Sequence, residues 1–377
     1  MQGKLEVLIA GGGVAGLEAA FALHAFAADL TTVTVLSPDS GFVYRPLAVR
    51  EPFTAQRAQH YALADVLRDA GAELVTDAFR WLDAPTQTVH TRNGRQLGYD
   101  ALLLALGART RPLFKHATTI QSGRLNAHLR ELLAELESGA LRRLVAIIPS
   151  RSGWPLPLYE LVLLLNSDAR GRDSELGIIV ASAEESPLAV FGTPATDAVA
   201  RLLSSEGIQT LMSVSSEVPE PGVVSLRPGT TTLEADRIIA LPQFYGPSTP
   251  GVPKRARGGF IAVDPYCRVR GIPNVYAAGD VTDSPVKFGA VAELQAAIAA
   301  RSIARAAGAR LELARFSPVV HGALLGGAHQ LYLSAHLIGH HCHRSTVSDI
   351  APAPLEPKPG GGWLRRYLHA RQQAPAT

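Results

Sequence analysis

Gly11, Gly13 and Gly16 stand at the spacing G-x-G-x-x-G within Gly11-Gly12-Gly13-Val14-Ala15-Gly16. The run follows the apolar stretch Val7-Leu8-Ile9-Ala10 and opens an Ala- and Leu-rich stretch, so it reads as a turn from a strand into a helix. In that setting each glycine has its own task. Gly11 permits the tight turn, Gly13 lets a pyrophosphate approach the backbone, Gly16 allows the helix to pack closely, and the phosphates rest on the helix N-terminus. A dinucleotide is the ligand such a turn takes. The second strand of such a unit ordinarily ends in an acid about 20 residues onward that binds the ribose hydroxyls. Here Val35-Leu36 runs into Ser37-Pro38-Asp39, so Ser37 stands in the acid's place, with Asp39 reaching round as an alternative and Glu18, inside the first helix, as one that would act from behind the site.

These residues need a layered scaffold to hold them. Leu5 to Ala10 reads as a strand, Val14 to Ala28 as a helix and Thr32 to Leu36 as a second strand. Ala78 to Val89, the turn Arg92-Asn93-Gly94-Arg95 and Ala101 to Ala105 read as a β-meander with a final strand that ends at Gly107. A second βαβ unit follows in Arg143 to Ile148, Leu158 to Leu165 and Leu176 to Ala181; Val275 to Ala278 is again strand-like and Gly289 to Ala307 helical. The fold class is therefore α/β, with two Rossmann-like FAD/NAD(P)-binding domains, the second inserted in the first, and a C-terminal extension. The expected divisions are 1–113 with 256–313, 114–255, and 314–377, with Pro352, Pro354, Pro357, Pro359 and Gly360 to Gly362 marking a loose tail.

Composition excludes several classes. The 377 residues are 47% hydrophobic and only 18% charged, which suits large buried sheets and excludes disorder. Thirty-six Lys and Arg against 33 Asp and Glu give a net charge of +3 with no basic block, so no nucleic-acid partner is expected. Cys267 and Cys342 lie 75 residues apart without a CxxC, which excludes a disulfide scaffold and a local dithiol. The N-terminus enters its glycine turn too soon for a signal peptide, and no apolar run is long enough to span a bilayer. A cytoplasmic protein is expected, at most peripherally associated with a membrane. Seven of the twelve histidines fall between His321 and His369, among them His340-His341-Cys342-His343. Adjacent ligands cannot all face one ion, so a surface loop is expected and no metal site. Trp363-Leu364-Arg365-Arg366-Tyr367-Leu368 is basic and amphipathic, suited to a membrane surface, to its own domain or to a second subunit of a homodimer.

Asn274-Val275-Tyr276-Ala277-Ala278-Gly279-Asp280 resembles the second flavin-binding motif of the two-dinucleotide-domain flavoproteins, the FAD-dependent pyridine nucleotide-disulfide oxidoreductase superfamily. The resemblance implies FAD, with Asp280 on the ribityl chain. The helix N-terminus at Gly289 and Ala290 is suited to negative charge on a reduced flavin. Tyr99 to Ala108 is similar to the family's connecting strand and its turn, which brings Ala105 and Gly107 to the cofactor. Ser37-Pro38-Asp39-Ser40-Gly41-Phe42-Val43-Tyr44-Arg45-Pro46-Leu47 is similar to the segment after the second strand in sulfide:quinone oxidoreductases and type II NADH dehydrogenases. The cofactor set implied is Gly11, Gly12, Gly13, Val14, Ala15, Gly16, Ser37, Pro38, Arg45, Ala78, Ala105, Gly107, Gly279, Asp280, Lys287, Gly289 and Ala290. Lys287 is read as bonding the flavin edge, pairing with Glu160 or standing solvated.

Two departures from that family bear on function. NAD-binding members carry a second G-x-G-x-x-G in the middle domain, and here those positions fall on Gly153, Pro155 and Leu158. Pro155 removes an amide donor and Leu158 adds bulk, so ordinary NAD(P)H binding is not expected there. Sulfide:quinone oxidoreductases place a reactive Cys in that segment, but this chain has Gly153 and Trp154, and no Cys precedes residue 267. Cys267 is expected to be structural, and Cys342 is a lesser candidate to face the flavin. Trp154, Tyr159, Tyr44 and Phe42 are read either as walls of an aromatic or quinone pocket or as core. The expectation is an FAD oxidoreductase that passes two electrons from a small-molecule donor to a quinone-like or other acceptor without the two-cysteine sulfide mechanism. The alternatives are an NAD(P)H-dependent flavin reductase binding nicotinamide unconventionally, and a non-catalytic FAD-binding redox sensor or scaffold. No catalytic residue is assigned.

Overall fold

The computed structural model describes residues 3–44, 59–120, 125–253, 257–326, 329–338, 341–350 and 362–373. Five parallel strands form its first sheet, in the spatial order Val275–Ala277, Ala101–Leu104, Leu5–Ala10, Thr31–Ser37, Ala72–Thr76. The edge strand Val275–Ala277 comes from far along the chain, so the sheet is discontinuous in sequence. Strand order reverses beside Leu5–Ala10, and in a parallel sheet that reversal opens a crevice at the carboxyl ends of the two strands flanking it. Ile9, Ala10, Val35 and Leu102 to Leu104 are buried, as expected of strands covered on both faces. The helices Val14–Ala27 and Gly289–Ala306 lie side by side against the sheet. Alanines let them approach closely: Ala15, Ala19, Ala22, Ala292, Ala296 and Ala299 all enter one core.

The second sheet is also parallel, in the order Thr118–Thr119, Arg237–Ala240, Arg143–Ile148, Gly177–Ser182, Gln209–Leu211. Its first crossover helix spans Leu156–Gly171 and outruns the expected Leu158 to Leu165 at both ends. Pro157 fits the first turn, where its missing N–H has no helical partner to lose. The polar last turn is held from outside: Asn166 Nδ2 donates to the Glu206 carbonyl at 3.0 Å, and Arg170 pairs with the Glu206 carboxylate at 2.6 Å. The expected Ala78–Val89 run is instead two strands, Phe79–Asp83 and Thr88–Thr91, separated by a turn in which Gln87 takes a φ of 50°. An antiparallel ribbon pairing Arg109–Arg111 with Gln243–Tyr245 joins the two sheets' territories.

Beyond residue 313 the structure departs most from expectation. Val319–Gly326, His329–Ile338 and His341–Ser348 form an antiparallel three-stranded sheet, so His341, Cys342 and His343 lie in a strand, not a surface loop. His340 and the proline-rich 351–361 lie outside the described residues. Val320, Leu324, Leu333, Ala335 and Leu337 share one core with Tyr159 and Phe191 of the second unit. That burial is what fixes a sequence whose polar residues alone signal no strand.

The helix Trp363–Gln373 turns back onto the first unit, burying Leu364 and Leu368 at 0% and 1% exposure. Two leucines so buried contribute roughly 2 kcal/mol each. The Glu18 carboxylate accepts the N–H groups of Trp363 at 3.1 Å and Leu364 at 2.7 Å and so caps this helix. Arg365 pairs with Glu293 at 2.6 Å, and Tyr367 donates to Asp69 at 2.7 Å. Glu18 is thereby corrected from a support behind the ribose site to a helix cap. Of the three surfaces expected for the basic helix, the structure places its apolar face on its own domain. Among the described residues no helix is long and apolar enough to cross a membrane.

Candidate functional site

The glycine turn meets the sequence's expectations in backbone terms. Gly11 has a φ of 122°, and a Cβ there would lie 2.2 Å from the Ala105 carbonyl oxygen. At Gly16 a Cβ would lie 1.8 Å from the Gly11 carbonyl oxygen, and at Gly12 it would lie 2.6 Å from Leu63 Cδ2 and 2.9 Å from Ser37 Oγ. Three glycines are thus consumed by packing. Gly13 differs, since a Cβ there meets nothing within 4 Å, and the same holds at Gly107, where φ is 65°. The backbone is therefore bare at two points of the first crevice.

The Asp280 motif converges on the same place. A Cβ on Gly279 would lie 3.1 Å from Ala15 Cβ, so the two motifs touch although 264 residues separate Ala15 from Gly279. Gln295, a buried residue of the Gly289–Ala306 helix, fixes the turn: its Oε1 accepts the Gly279 N–H at 2.8 Å and the Thr282 hydroxyl at 3.2 Å. Sequence reasoning missed Gln295, whose only local signal is a polar residue inside an Ala-rich helix. The Asp280 carboxylate accepts a hydrogen bond from no described residue; burial raises its pKa and the neighbouring Lys287 charge opposes that rise. Gly289 and Ala290 are exposed and begin their helix without a side-chain cap. Val14 and Ala15 open the helix that faces them.

Ser37 is buried at the end of its strand, where its Oγ accepts the Asp39 N–H at 3.2 Å. The Asp77 N–H donates to the Ser37 carbonyl at 3.0 Å, which brings Pro38 and Ala78 to one sheet edge. Arg45 lies outside the described residues. Lys287 is not the solvated lysine of one sequence reading. It is buried, its Nζ donates to the Thr282 carbonyl and lies 3.9 Å from the centre of the Phe260 ring, and burial pushes its pKa down to about 8.

The second sheet has its own strand reversal, beside Arg143–Ile148, but that crevice is sewn shut. Gln243 Nε2 donates to the Ser150 carbonyl at 3.1 Å, and the Phe244 N–H donates to the Arg151 carbonyl at 2.9 Å. A Cβ on Gly153 would lie 3.0 Å from the Phe244 ring and 3.1 Å from Lys287. Trp154 is buried and stacks on Phe288 at 5.1 Å between centroids, with Phe191 at 5.6 Å. Pro155 precedes the first helical residue and Leu158 is buried. Glu184, two residues past the second strand, accepts the Tyr159 hydroxyl at 2.9 Å and the Ser182 hydroxyl at 3.1 Å; burial raises its pKa to about 7.

The aromatic wall envisaged from sequence does not assemble as one surface. Tyr159 is wholly buried in the second core, whereas Phe42 and Tyr44 form a separate cluster with Tyr61 in the first. Trp154 alone reaches the uncapped helix start, through Phe288. Neither cysteine is reactive by position. Cys267 is fully buried, which pushes its thiol pKa up, and Cys342 Sγ donates to the Phe191 carbonyl at 3.4 Å, so its neighbour is the second unit's Phe191–Gly192 turn. Among the described residues no three His, Cys, Asp or Glu side chains form a metal-binding group.

The family model described as pyridine nucleotide-disulphide oxidoreductase matches residues 5–143 and 170–307, more than half of the chain. The unmatched residues 144–169 take in most of the strand Arg143–Ile148, the closed loop and most of the helix that follows it. A sulfide-quinone reductase of Aquifex aeolicus is 24% identical over 256 residues, covering 64% of this chain and 59% of that protein. An NADH dehydrogenase-like protein of Mycobacterium tuberculosis is 28% identical over 290 residues, covering 73% of this chain and 72% of that protein. Among solved structures, the Aquifex aeolicus sulfide:quinone oxidoreductase superposes with a TM-score of 0.79 at 20% identity, covering 98% of this chain and 90% of that one. A NAD-dependent persulfide reductase of A. fulgidus gives 0.61 at 18% identity, covering 88% and 64%. With both glycine and aspartate motifs meeting at the crevice of a doubly wound sheet, this chain belongs to the pyridine nucleotide-disulphide oxidoreductase family and is an FAD-dependent oxidoreductase.

Proposed function

We propose that this enzyme holds FAD across the first crevice and passes two electrons from a small-molecule donor to a quinone-like or other acceptor, without the two-cysteine sulfide mechanism. The observation carrying the proposal is the contrast between the crevices. The first leaves bare backbone at Gly13 and Gly107 and an Asp280 carboxylate that accepts no hydrogen bond from a described residue, while the second is closed by Gln243, Phe244 and Trp154. A group with a pyrophosphate and a polyhydroxyl chain fits the first: open amides suit the one and a free acceptor the other.

In this reading residues 1–113 and 256–313 form the FAD unit, 114–255 a degenerate NAD(P)-binding-like unit, and 314–377 an extension that packs on both. Gly11 to Gly16 shape the turn that takes the pyrophosphate, Ser37 and Pro38 the ribose edge, and Asp280 the ribityl hydroxyls. Ala78, Ala105 and Gly107 complete the same pocket. FAD, when bound, supplies the two-electron chemistry. The chain's part is orientation and charge: Gln295 holds the Gly279 turn, the free amides at Gly289 and Ala290 favour negative charge, and Lys287 adds a buried cation beside Asp280. Phe288, half-buried and backed by Trp154, offers a flat apolar surface at that helix start, which suits a quinone ring. The similarity to a sulfide-quinone reductase supports a quinone-like acceptor.

The rival reading, an NAD(P)H-dependent flavin reductase binding nicotinamide across Trp154, draws on the relative named NADH dehydrogenase-like. Anaerobic rapid mixing separates the two. We expect the flavin to stay oxidised when NADH or NADPH is added, and the photoreduced enzyme to be reoxidised by a water-soluble quinone within the mixing experiment. Rapid bleaching by either pyridine nucleotide, or indifference of the reduced flavin to quinones, overturns the proposal.

A further inference from the structure

The edge of the first sheet opposite the FAD crevice carries a cleft of about 620 Å³, within the size range of small-molecule sites. It lies where the chain enters the strand Val275–Ala277, between that entry turn and the far half of the Gly289–Ala306 helix. Three guanidinia line it: Arg268, Arg270 and Arg305. No described carboxylate forms an ion pair with any of them. The cleft's one acid, Asp264, is already engaged, its Oδ1 accepting the N–H groups of Tyr266 at 2.8 Å and Arg268 at 2.9 Å. Two of the arginines are held in place. Arg268 lies over the Tyr266 ring at 5.3 Å and bonds the Tyr276 side chain, and Arg305 donates to the Leu311 carbonyl at 2.6 Å.

Three arginines and one acid leave the lining with a surplus of two positive charges, and nothing in the FAD site uses them. Guanidinium forks match phosphate oxygens in geometry as well as charge, and prior anchoring lowers the entropy lost on binding. Ile272 and Leu313 on the same wall supply apolar contact for a remainder larger than phosphate itself. We propose that this cleft binds a phosphorylated organic molecule of nucleotide size, at a site separate from the flavin.

Isothermal titration of the FAD-saturated protein with ADP, and separately with inorganic pyrophosphate, tests this, because FAD occupies the only other dinucleotide crevice we assign. ADP is expected to bind more tightly than pyrophosphate. Arg270→Gln and Arg305→Gln, both exposed positions outside the flavin site, are each expected to weaken ADP at least tenfold, while Arg270→Lys, which keeps the charge but not the fork, falls between the parent and Arg270→Gln. The proposal is overturned if neither ligand binds at concentrations on the order of 1 mM, a free energy of about 4 kcal/mol. It is equally overturned if pyrophosphate binds as tightly as ADP, or if both glutamine variants bind ADP as the parent does.

Discussion

A Gly13→Val variant is expected to fold and to lose FAD, whereas Gly16→Val is expected to be strongly destabilised. The two glycines lie three residues apart in one turn but face different things. Gly13 has a φ of −85° and ψ of −168°, which any L-residue adopts, and its missing side chain opens on empty space. Valine there costs the apoprotein little but stands where a pyrophosphate would approach, so affinity for FAD should fall on the order of 100-fold, about 2.7 kcal/mol. At Gly16 the missing side chain opens on the Gly11 carbonyl oxygen at 1.8 Å. Backbone cannot yield as a flexible side chain can, and overpacking of that kind costs about 3 kcal/mol or more. Thermal unfolding of the two apoproteins with an FAD titration of each checks both halves. Equal melting losses in the two variants would mean that Gly13 is a packing glycine and not an open approach to the cofactor.

The second large effect is in pH. Burial raises the Glu18 carboxyl from 4.5 to about 7, and Glu184 moves likewise. A carboxyl whose folded pKa is raised binds its proton more tightly in the folded state, so this contribution is fully present below pH 4.5 and lost as pH rises through about 7. Each group then accounts for at most roughly 3 kcal/mol between those limits. The protein should therefore be more resistant to urea at pH 5 than at pH 8. Glu18→Gln should make that difference smaller, since it removes one of the carboxyls whose raised pKa produces it. Glu18→Gln retains an oxygen to accept from the Trp363 or Leu364 amide, so the helix stays capped while the titration disappears. A variant whose stability difference between pH 5 and pH 8 equals the parent's would show that Glu18 ionises freely and that the helix it caps is not packed as described.

The parts of the site readable in sequence are those fixed by neighbours in the chain. The spacing of Gly11, Gly13 and Gly16 between an apolar run and an alanine-rich helix specifies a turn, and the separate roles of those glycines follow from one backbone geometry. The strands Leu5–Ala10 and Arg143–Ile148 were equally plain, because strands covered on both faces must be continuous apolar runs. Lys287, Gln295 and Glu18 were not plain. Each takes its role from a partner brought in by the tertiary fold: Phe260 under the Lys287 ammonium, the Gly279 amide on Gln295, and a helix 345 residues away on Glu18. The same holds for the strand at His341–Ser348, in which only Cys342, Ser345 and Val347 are half-buried and the exposed pair His343-Arg344 interrupts the alternation. Only the register with Tyr332 to Ile338 defines it. For Tyr159 the structure decides between pocket wall and core, both open from sequence: its hydroxyl goes to Glu184 within a packed core.

The meeting of the two motifs at one crevice is tested most directly by the visible spectrum and FAD titration of the purified chain beside Asp280→Ala. We predict a flavin spectrum for the parent at close to one FAD per chain. Asp280→Ala should keep the same fold by circular dichroism but release its flavin on gel filtration, because the carboxylate proposed to accept the ribityl hydroxyls is gone. A folded parent that neither carries nor takes up FAD, or an Asp280→Ala chain that binds FAD as tightly as the parent, would contradict the placement of the cofactor across Gly13 and Asp280.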